Sequence, residues 1–77
     1  MNYKNLTMLT QGQSARIAKL EFSSPIRQRL LDLGLVEHTK IEHLQTAPGG
    51  DPAAYLVRGT VVALRQEDAD QIIVYQP

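Results

Sequence analysis

The sequence has 77 residues, 43% of them hydrophobic and 21% charged, which predicts one folded domain with one hydrophobic core rather than a disordered chain. Eight basic residues balance eight acidic ones, and a net charge of zero argues against a general nucleic-acid or anionic-membrane binder. Cysteine is absent, which excludes disulfides, thiolate metal sites and thiol nucleophiles and favours a reducing compartment.

The N-terminal segment predicts a short turn followed by a strand. Leu6, Leu9 and Gly12 are typical of a single helical turn that ends at a glycine. Ser14–Leu20 alternates apolar and polar residues as a half-buried strand does. No signal-peptide layout precedes them, and nowhere does the chain approach the roughly 20 apolar residues of a membrane-spanning helix. We therefore expect a cytoplasmic chain without direct membrane insertion.

Residues 25–33 predict the one clear helix. Ser24 is a favourable N-cap residue, and Pro25 suits the first helical position because its missing N–H would lack a partner there. Three apolar residues recur at the spacing that stacks them on one helical face, and we expect that face to pack on the core. They are Ile26, Leu30 and Leu33.

Gly34 predicts the end of this helix. A glycine adopts the left-handed conformation at the position after the C-cap without a steric penalty, and an apolar residue just beyond it then folds back on the last turn. We therefore expect a Schellman ending in which Leu35 contacts Leu30.

The rest of the chain predicts strands and turns. The strands are residues 40–46, 54–58, 61–65 and 72–75, with a loop at 47–52, a hairpin turn at Gly59-Thr60 and a short helical turn at 67–70. About five short strands and one helix predict an all-β fold. A small curved barrel buries them best, because closure also removes exposed strand edges.

The sequence carries no recognisable catalytic motif. It has no nucleophile elbow, no phosphate-binding loop ending in lysine and serine or threonine, and no dinucleotide fingerprint. Gly49-Gly50-Asp51 lacks the lysine and the helix that a phosphate site needs. We therefore expect no catalytic residues, no cofactor and no enzymatic activity.

The two histidines do not suggest a metal site. His38 and His43 are five residues apart, and an odd spacing places side chains on opposite faces of a strand. His43 shares the face of Ile41, so we expect it to be partly buried with its hydrogen bonds satisfied. His38 is predicted to be a turn residue.

Two surfaces are candidates for binding a partner. Leu31 lies off the predicted apolar stripe beside Arg27, and an apolar residue next to arginine is typical of interfaces; packing under a neighbouring loop is the alternative for Leu31. Arg29 and Leu35 complete the predicted contact set. The loop at 47–52 is the second candidate, and its alternative is a rigid turn in which Asp51 bonds the local backbone.

The residues resemble the FeoA family, the small ferrous-iron-transport protein A group. The resemblance covers essentially the whole chain. Its most specific part is the helix ending in Leu-Gly-Leu at 33–35, followed by Ala-Pro-Gly-Gly-Asp-Pro at 47–52. Further matching residues are Leu6, Leu9, Gly12, Ala15, Ile17, Arg29, Val57, Arg58, Gly59, Val62, Ala63, Leu64, Arg65, Ala69, Ile72 and Val74.

The resemblance implies an SH3-like β-barrel with one inserted α-helix, built as a single domain over residues 1–77. It also implies a cytoplasmic accessory or regulatory protein of ferrous iron uptake. Such a protein binds the cytoplasmic domains of a GTPase-containing membrane ferrous iron transporter of the FeoB type. Neither a metal site nor a nucleic-acid partner is expected, and a weak homo-oligomer stays open.

Two positions depart from the family pattern. Glu37-His38 stands where the family usually has Pro-Gly. If the turn still needs a positive φ at its second position, His38 must adopt it at a steric cost; a looser turn is the alternative. His43 stands where the family tends to be apolar.

Two other functions are weighed against transporter binding. The same fold occurs as the C-terminal domain of iron-dependent transcriptional repressors, so an alternative is a related SH3-like protein-binding domain. That alternative predicts a linked or neighbouring winged-helix DNA-binding chain. An RNA-binding barrel predicts salt-dependent RNA binding, which the zero net charge and the 5% aromatic content oppose.

Overall fold

The computed structural model describes residues 2–21 and 25–76. The predicted N-cap residue, Ser24, lies outside the described residues. Six strands and two helices lie within them, in the order β1 (Asn2–Asn5), β2 (Ser14–Leu20), α1 (Ile26–Asp32), β3 (Lys40–Thr46), β4 (Ala53–Val57), β5 (Thr60–Leu64), α2 (Gln66–Ala69) and β6 (Ile72–Gln76). A single 3-10 turn covers Leu6–Met8, where the sequence predicts a helical turn.

All strands are antiparallel and form one sheet in the order β1-β6-β2-β3-β4-β5. The sheet curls around one core, with β1 and β5 as its edges. The predicted all-β barrel with one inserted helix is confirmed, with six strands instead of about five. The additional strand is β1, whose sequence Asn-Tyr-Lys-Asn carries none of the apolar alternation from which a strand is predicted.

The core is formed by alternate residues of the strands together with apolar residues of the turns. The strands from β2 to β6 alternate inward and outward except at one bulge in β2 and one in β3, because successive side chains of a pleated strand point to opposite faces. The largest fully buried side chains are Leu6, Ile17, Leu35, Ile41, Val57, Ile72 and Val74. The 3-10 turn and the segment after α1 thus contribute to the same core as the sheet.

The strands β2 and β3 begin and end where the sequence predicts, whereas the hairpin turn is shifted by one residue. Val57 pairs with Thr60, so the two turn residues are Arg58 and Gly59 instead of Gly59-Thr60. Both have positive φ, 52° and 79°, as a two-residue turn of type I′ requires. Arginine seldom adopts this conformation, which is why the sequence points to the next residue pair.

The helix α1 covers residues 26–32, one residue shorter at each end than predicted, and it packs on a different face. Ile26 and Leu31 are partly buried against the core and Leu30 is buried, but Leu33 is 41% exposed. The predicted inward position of Leu33 is therefore wrong. Leu33 is the C-cap residue, and Leu35 turns back beneath the helix end and occupies the core there.

The end of α1 is the predicted Schellman motif. Gly34 has φ +102°, its N–H donates to the Leu31 carbonyl at 3.0 Å, and the Leu35 N–H donates to the Leu30 carbonyl at 3.0 Å. A Cβ on Gly34 would lie 3.0 Å from Cδ of Arg58, so the site is crowded as well as left-handed.

We predict that Gly34→Ala lowers the free energy of unfolding by about 2–3 kcal/mol, because alanine adds a steric conflict to the strained backbone. Gly12→Ala is the matched control, since Gly12 has φ +89° but nothing lies within 4 Å of its added Cβ. This variant should lose only about 1 kcal/mol. Urea unfolding of both variants measures the difference, and equal losses would contradict the role given to the Arg58 contact.

Candidate functional site

A groove between α1 and β2 brings together several residues that the sequence singles out. We call it the α1 groove, and its volume is about 510 Å³. Its floor is apolar and buried, and its rim carries three charged side chains, those of Lys19, Arg27 and Glu37. The lining residues are Ile17, Ala18, Lys19, Leu20, Arg27, Leu31, Leu35 and Glu37.

The α1 groove accommodates the predicted contact residues unequally. Arg27 is exposed at its rim, and Leu31 lines it while also packing against the core, so partner contact by these two residues stays a prediction. Arg29 is exposed but does not line the groove. Leu35 has no exposed surface, so it forms part of the floor and its side chain cannot reach out to a partner.

A β-bulge in β2 shapes the opposite wall of the groove. The register of β2 against β6 shifts between Ile17 and Lys19, which leaves Ala18 as the extra residue. A bulge bends its strand and redirects side chains, so Ala18 and Lys19 both line the groove. The Lys19 ammonium lies 3.6 Å from the Glu21 carboxylate in an exposed ion pair, which stabilises the fold little.

The turn at Glu37-His38 keeps the backbone form that the family pattern requires. His38 has φ 71°, so the stricter of the two predicted turns is correct. The His38 N–H donates to the Ile17 carbonyl at 2.6 Å, and its ring Nδ1 lies 2.9 Å from the Tyr75 hydroxyl. Nη1 of Arg16 donates to the His38 carbonyl at 2.8 Å. These bonds hold a residue that is unfavourable at positive φ.

The histidine inside the barrel is His43, which is 7% exposed. Its Nδ1 lies 2.9 Å from the Leu9 carbonyl, which only accepts, so Nδ1 carries the proton. In the neutral ring, Nε2 then accepts from the Thr46 hydroxyl at 2.8 Å. The ring also lies 5.2 Å from that of Tyr55. The prediction of a satisfied, buried histidine is confirmed, and both ring nitrogens are engaged within the protein.

The loop at 47–52 is a hydrogen-bonded turn, and its role as a partner-binding surface stays a prediction. The Ala47 N–H donates to the Pro52 carbonyl and the Gly50 N–H to the Ala47 carbonyl, both at 2.9 Å. The carboxylate of Asp51 does not bond the local backbone as predicted. It accepts from the Gln66 N–H at 3.0 Å, because the loop lies beside the first turn of α2.

Within residues 2–21 and 25–76, no group of three His, Asp or Glu side chains is placed to hold a metal ion. None of the helices described in that part of the chain is long and apolar enough to cross a bilayer. The absence of a metal site and of catalysis stays a prediction.

A surface that the sequence analysis did not identify lies on the outer face of β1, β6 and β2. Tyr3 and Tyr75 face each other across β1 and β6, with ring centroids 6.0 Å apart, and His38 lies 6.0 Å from Tyr75 on the other side. These residues are 35 to 72 positions apart in the sequence, so only the tertiary structure brings them together. The sequence signal that could have found them is the presence of one tyrosine near each end of the chain, Tyr3 and Tyr75.

The FeoA domain family model matches residues 4–76. The chain is 38% identical over 69 residues to the Fe(2+) transport protein A/Fe(2+) transporter FeoB fusion protein of Porphyromonas gingivalis. That alignment covers 90% of this chain and 8% of the much longer relative. The family expected from the residues is therefore confirmed.

Solved structures of the family share the fold. The FeoA protein of Chlorobium tepidum superposes with a TM-score of 0.91 at 33% identity, over 95% of this chain and 70% of that one. The FeoA of Stenotrophomonas maltophilia, a zinc complex described as a prokaryotic SH3 domain protein, gives a TM-score of 0.81 at 28% identity, over 94% and 89%. The predicted SH3-like class is confirmed.

The fold is also shared with a protein named as a manganese-dependent transcriptional repressor, with a TM-score of 0.82 at 16% identity over 97% of this chain and 42% of that one. The IdeR protein of T. acidophilum superposes with a TM-score of 0.81 over 100% of this chain and 35% of that one, at 22% identity. At that identity the likeness concerns the fold alone.

We predict that His43→Ala lowers the free energy of unfolding by about 2–4 kcal/mol, because it leaves a cavity and removes the partner of the Leu9 carbonyl. Thr46→Val is the matched control. It keeps the side-chain shape and the bond to Leu9, and should cost about 1 kcal/mol. Denaturant unfolding of the two variants tests this, and a larger loss for Thr46→Val would refute it.

The decrease in the free energy of unfolding at high pH should depend on Tyr55. Burial raises the pKa of the Tyr55 hydroxyl above its ordinary value of 10.0. The folded state therefore favours the neutral phenol, and this stabilisation is complete below about pH 10 and is lost as the pH rises through the folded-state pKa. Unfolding measured from pH 8 to 12 should show a steeper alkaline loss for the parent than for Tyr55→Phe; parallel profiles would contradict it.

Proposed function

The chain belongs to the FeoA family, and on that premise we propose that it is a cytoplasmic accessory protein of ferrous iron uptake. Its partner is the membrane ferrous iron transporter of the FeoB type, bound through the transporter's cytoplasmic side. Binding supports or regulates transport, and the chain itself performs no catalysis and carries no cofactor.

The observation that carries this proposal is the relative in which the two proteins share one polypeptide. The Porphyromonas gingivalis relative is named as a fusion of transport protein A with the transporter FeoB. A covalent link holds two domains at a high effective concentration. A separate chain of the same family must reach the same association through affinity, so it needs an interaction surface of its own.

The α1 groove supplies the chemistry that such a surface needs. An apolar floor, formed in part by Leu35, lies beneath a rim on which Arg27 and Leu31 stand side by side. Arginine beside a partly buried apolar residue is a common centre of binding energy, because the guanidinium makes directed hydrogen bonds while its stem packs on apolar surface. A groove of about 510 Å³ accommodates a few side chains of a partner.

A second candidate function follows from the fold shared with the repressor. The likeness to IdeR covers the whole of this chain, so the domain could instead act as the protein-binding barrel of a transcription regulator. That function requires association with a winged-helix DNA-binding chain. The two candidates therefore differ in the partner they bind.

The test is calorimetric titration of this chain into the full-length cognate transporter in detergent, with GTP, with GDP and without nucleotide. We expect saturable binding that Arg27→Glu weakens about tenfold or more, the loss typical of a central interface arginine. Arg65→Glu is the matched control. It makes the same charge change at an exposed residue that does not line the α1 groove, and it should leave the affinity unchanged.

Absence of binding heat under all three nucleotide conditions would exclude the transporter as the partner and favour the regulator. Equal weakening by both arginine variants would keep the transporter but remove the α1 groove as its contact. Urea unfolding of both variants should match the parent, since both arginines are exposed.

A further inference from the structure

Four side chains form one row across the outer face of the sheet. Tyr3 on β1 pairs with Tyr75 on β6, Tyr75 pairs with Arg16 on β2, and Arg16 pairs with Lys40 on β3. We call these residues the tyrosine–cation row. They belong to four neighbouring strands, so with a strand spacing of about 4.8 Å the row is about 14 Å long.

All four members of the row face away from the core. Their neighbours along each strand, such as Ile17, Ile41 and Val74, are fully buried, and side chains alternate between the two faces. Tyr3 is 64% exposed, and Arg16 and Lys40 are exposed. The row is therefore a surface feature that solvent or a partner can reach.

The aromatic end of the row lies beside an apolar hollow. Tyr3, Tyr75, Ile73, Ala18 and the stem of Lys19 line a cavity of about 370 Å³, together with His38. The hydrogen bond between the Tyr75 hydroxyl and Nδ1 of His38 restrains the Tyr75 ring. A restrained ring loses less conformational freedom when a ligand packs on it.

The cationic end of the row holds two like charges that face each other. Directly opposed like charges destabilise strand pairing, so the pair of Arg16 and Lys40 costs stability unless an anion lies near. Among the described residues, the ion contacts within 4.0 Å join Lys19 to Glu21 and His38 to Glu37, and neither involves Arg16 or Lys40. The guanidinium of Arg16 uses one of its five N–H groups on the His38 carbonyl.

From this arrangement we propose that the tyrosine–cation row binds an acidic, extended peptide segment of a partner protein. Its carboxylates lie over Arg16 and Lys40, and one apolar side chain enters the hollow beside Tyr75. An extended peptide rises about 3.3 Å per residue, so four to five residues match the length of the row. The two cations then hold an anion between them, which relieves their repulsion.

The charges and the rings favour a peptide over a nucleic acid. The chain has no net positive charge, and two cations neutralise few phosphates, so electrostatic affinity for RNA is small. The Tyr3 and Tyr75 rings are tilted by 53° to each other and do not form a parallel platform on which successive bases could stack.

This proposal does not depend on the transporter being the partner. The apolar hollow beside the row and the α1 groove share the β2 bulge residues Ala18 and Lys19, yet the cations of the row lie outside the groove. Absence of binding to the transporter would leave the proposed ligand of the row unaffected, because the test of that ligand uses no transporter.

The test is an NMR titration of the 15N-labelled full chain with a synthetic octapeptide in which glutamate and alanine alternate around one central leucine. Two control ligands are the same peptide with lysine in place of glutamate, and an octauridylate RNA. We expect the acidic peptide to shift the amide signals of Tyr3, Arg16, Lys40 and Tyr75, and the lysine peptide to leave them in place. RNA should bind more weakly than the acidic peptide.

The double variant Arg16→Gln/Lys40→Gln should weaken binding of the acidic peptide about tenfold, because two charge-assisted hydrogen bonds are lost. Arg29→Gln/Arg65→Gln is the control, with the same change in net charge at exposed sites outside the row. Urea unfolding of both double variants checks that they fold, because the row variant also loses the bond from Arg16 to the His38 carbonyl.

Four outcomes would overturn the proposal. They are shifts confined to other surfaces, no shifts with saturating acidic peptide, equal weakening by the two double variants, and tighter binding of the RNA. The third would indicate attraction to the overall charge rather than to the row, and the last would assign the row to nucleic acid.

Discussion

The Schellman motif that ends α1 and reverses the chain is the constraint on which the rest of the structure depends. The bond from the Leu35 N–H to the Leu30 carbonyl, made possible by the positive φ of Gly34, carries Leu35 into the core. The helix end is thereby held over the core, and the space between α1 and β2 is the α1 groove. Full burial of one leucine side chain contributes about 1.5–3 kcal/mol, which is a large fraction of the net stability of a small domain.

The same motif also positions the turn that follows it, at Glu37-His38. His38 donates its N–H to the Ile17 carbonyl, and the Ile17 N–H donates to the Thr39 carbonyl at 2.9 Å, so the turn is bonded directly to β2. The His38 carbonyl also accepts a hydrogen bond from Arg16, and the His38 ring is hydrogen-bonded to the Tyr75 hydroxyl. A residue with an unfavourable backbone conformation thus connects the helix end to the outer face of the sheet.

The α1 groove and the apolar hollow beside the tyrosine–cation row both depend on the bulge in β2. Ala18 is the extra residue of the bulge, and Ala18 and Lys19 line both the α1 groove and the apolar hollow beside Tyr75. Bulges commonly redirect side chains near functional sites. The chain as a whole carries no net charge, so its charged and aromatic character is local to such surfaces.

The sequence by itself determined the secondary structure of most of the chain and the family. The alternation in Ser14–Leu20 and Lys40–Thr46 gives both strands with correct ends, and Gly34 with Leu35 gives the Schellman motif, because these signals act over a few residues. It also predicted the buried state of His43 from the residue with which it shares a strand face. Local chemistry was sufficient in each case.

Only the tertiary structure decided which faces are exposed and which distant residues meet. Leu33 points outward and Leu31 inward because the curl of the sheet decides which face of α1 lies over the core. The spacing of apolar residues along a helix does not contain that information. The polar strand β1 forms because β6 offers it a pairing edge. The tyrosine–cation row is set by the register of four strands, and a one-residue change in any register would turn its member to the other face.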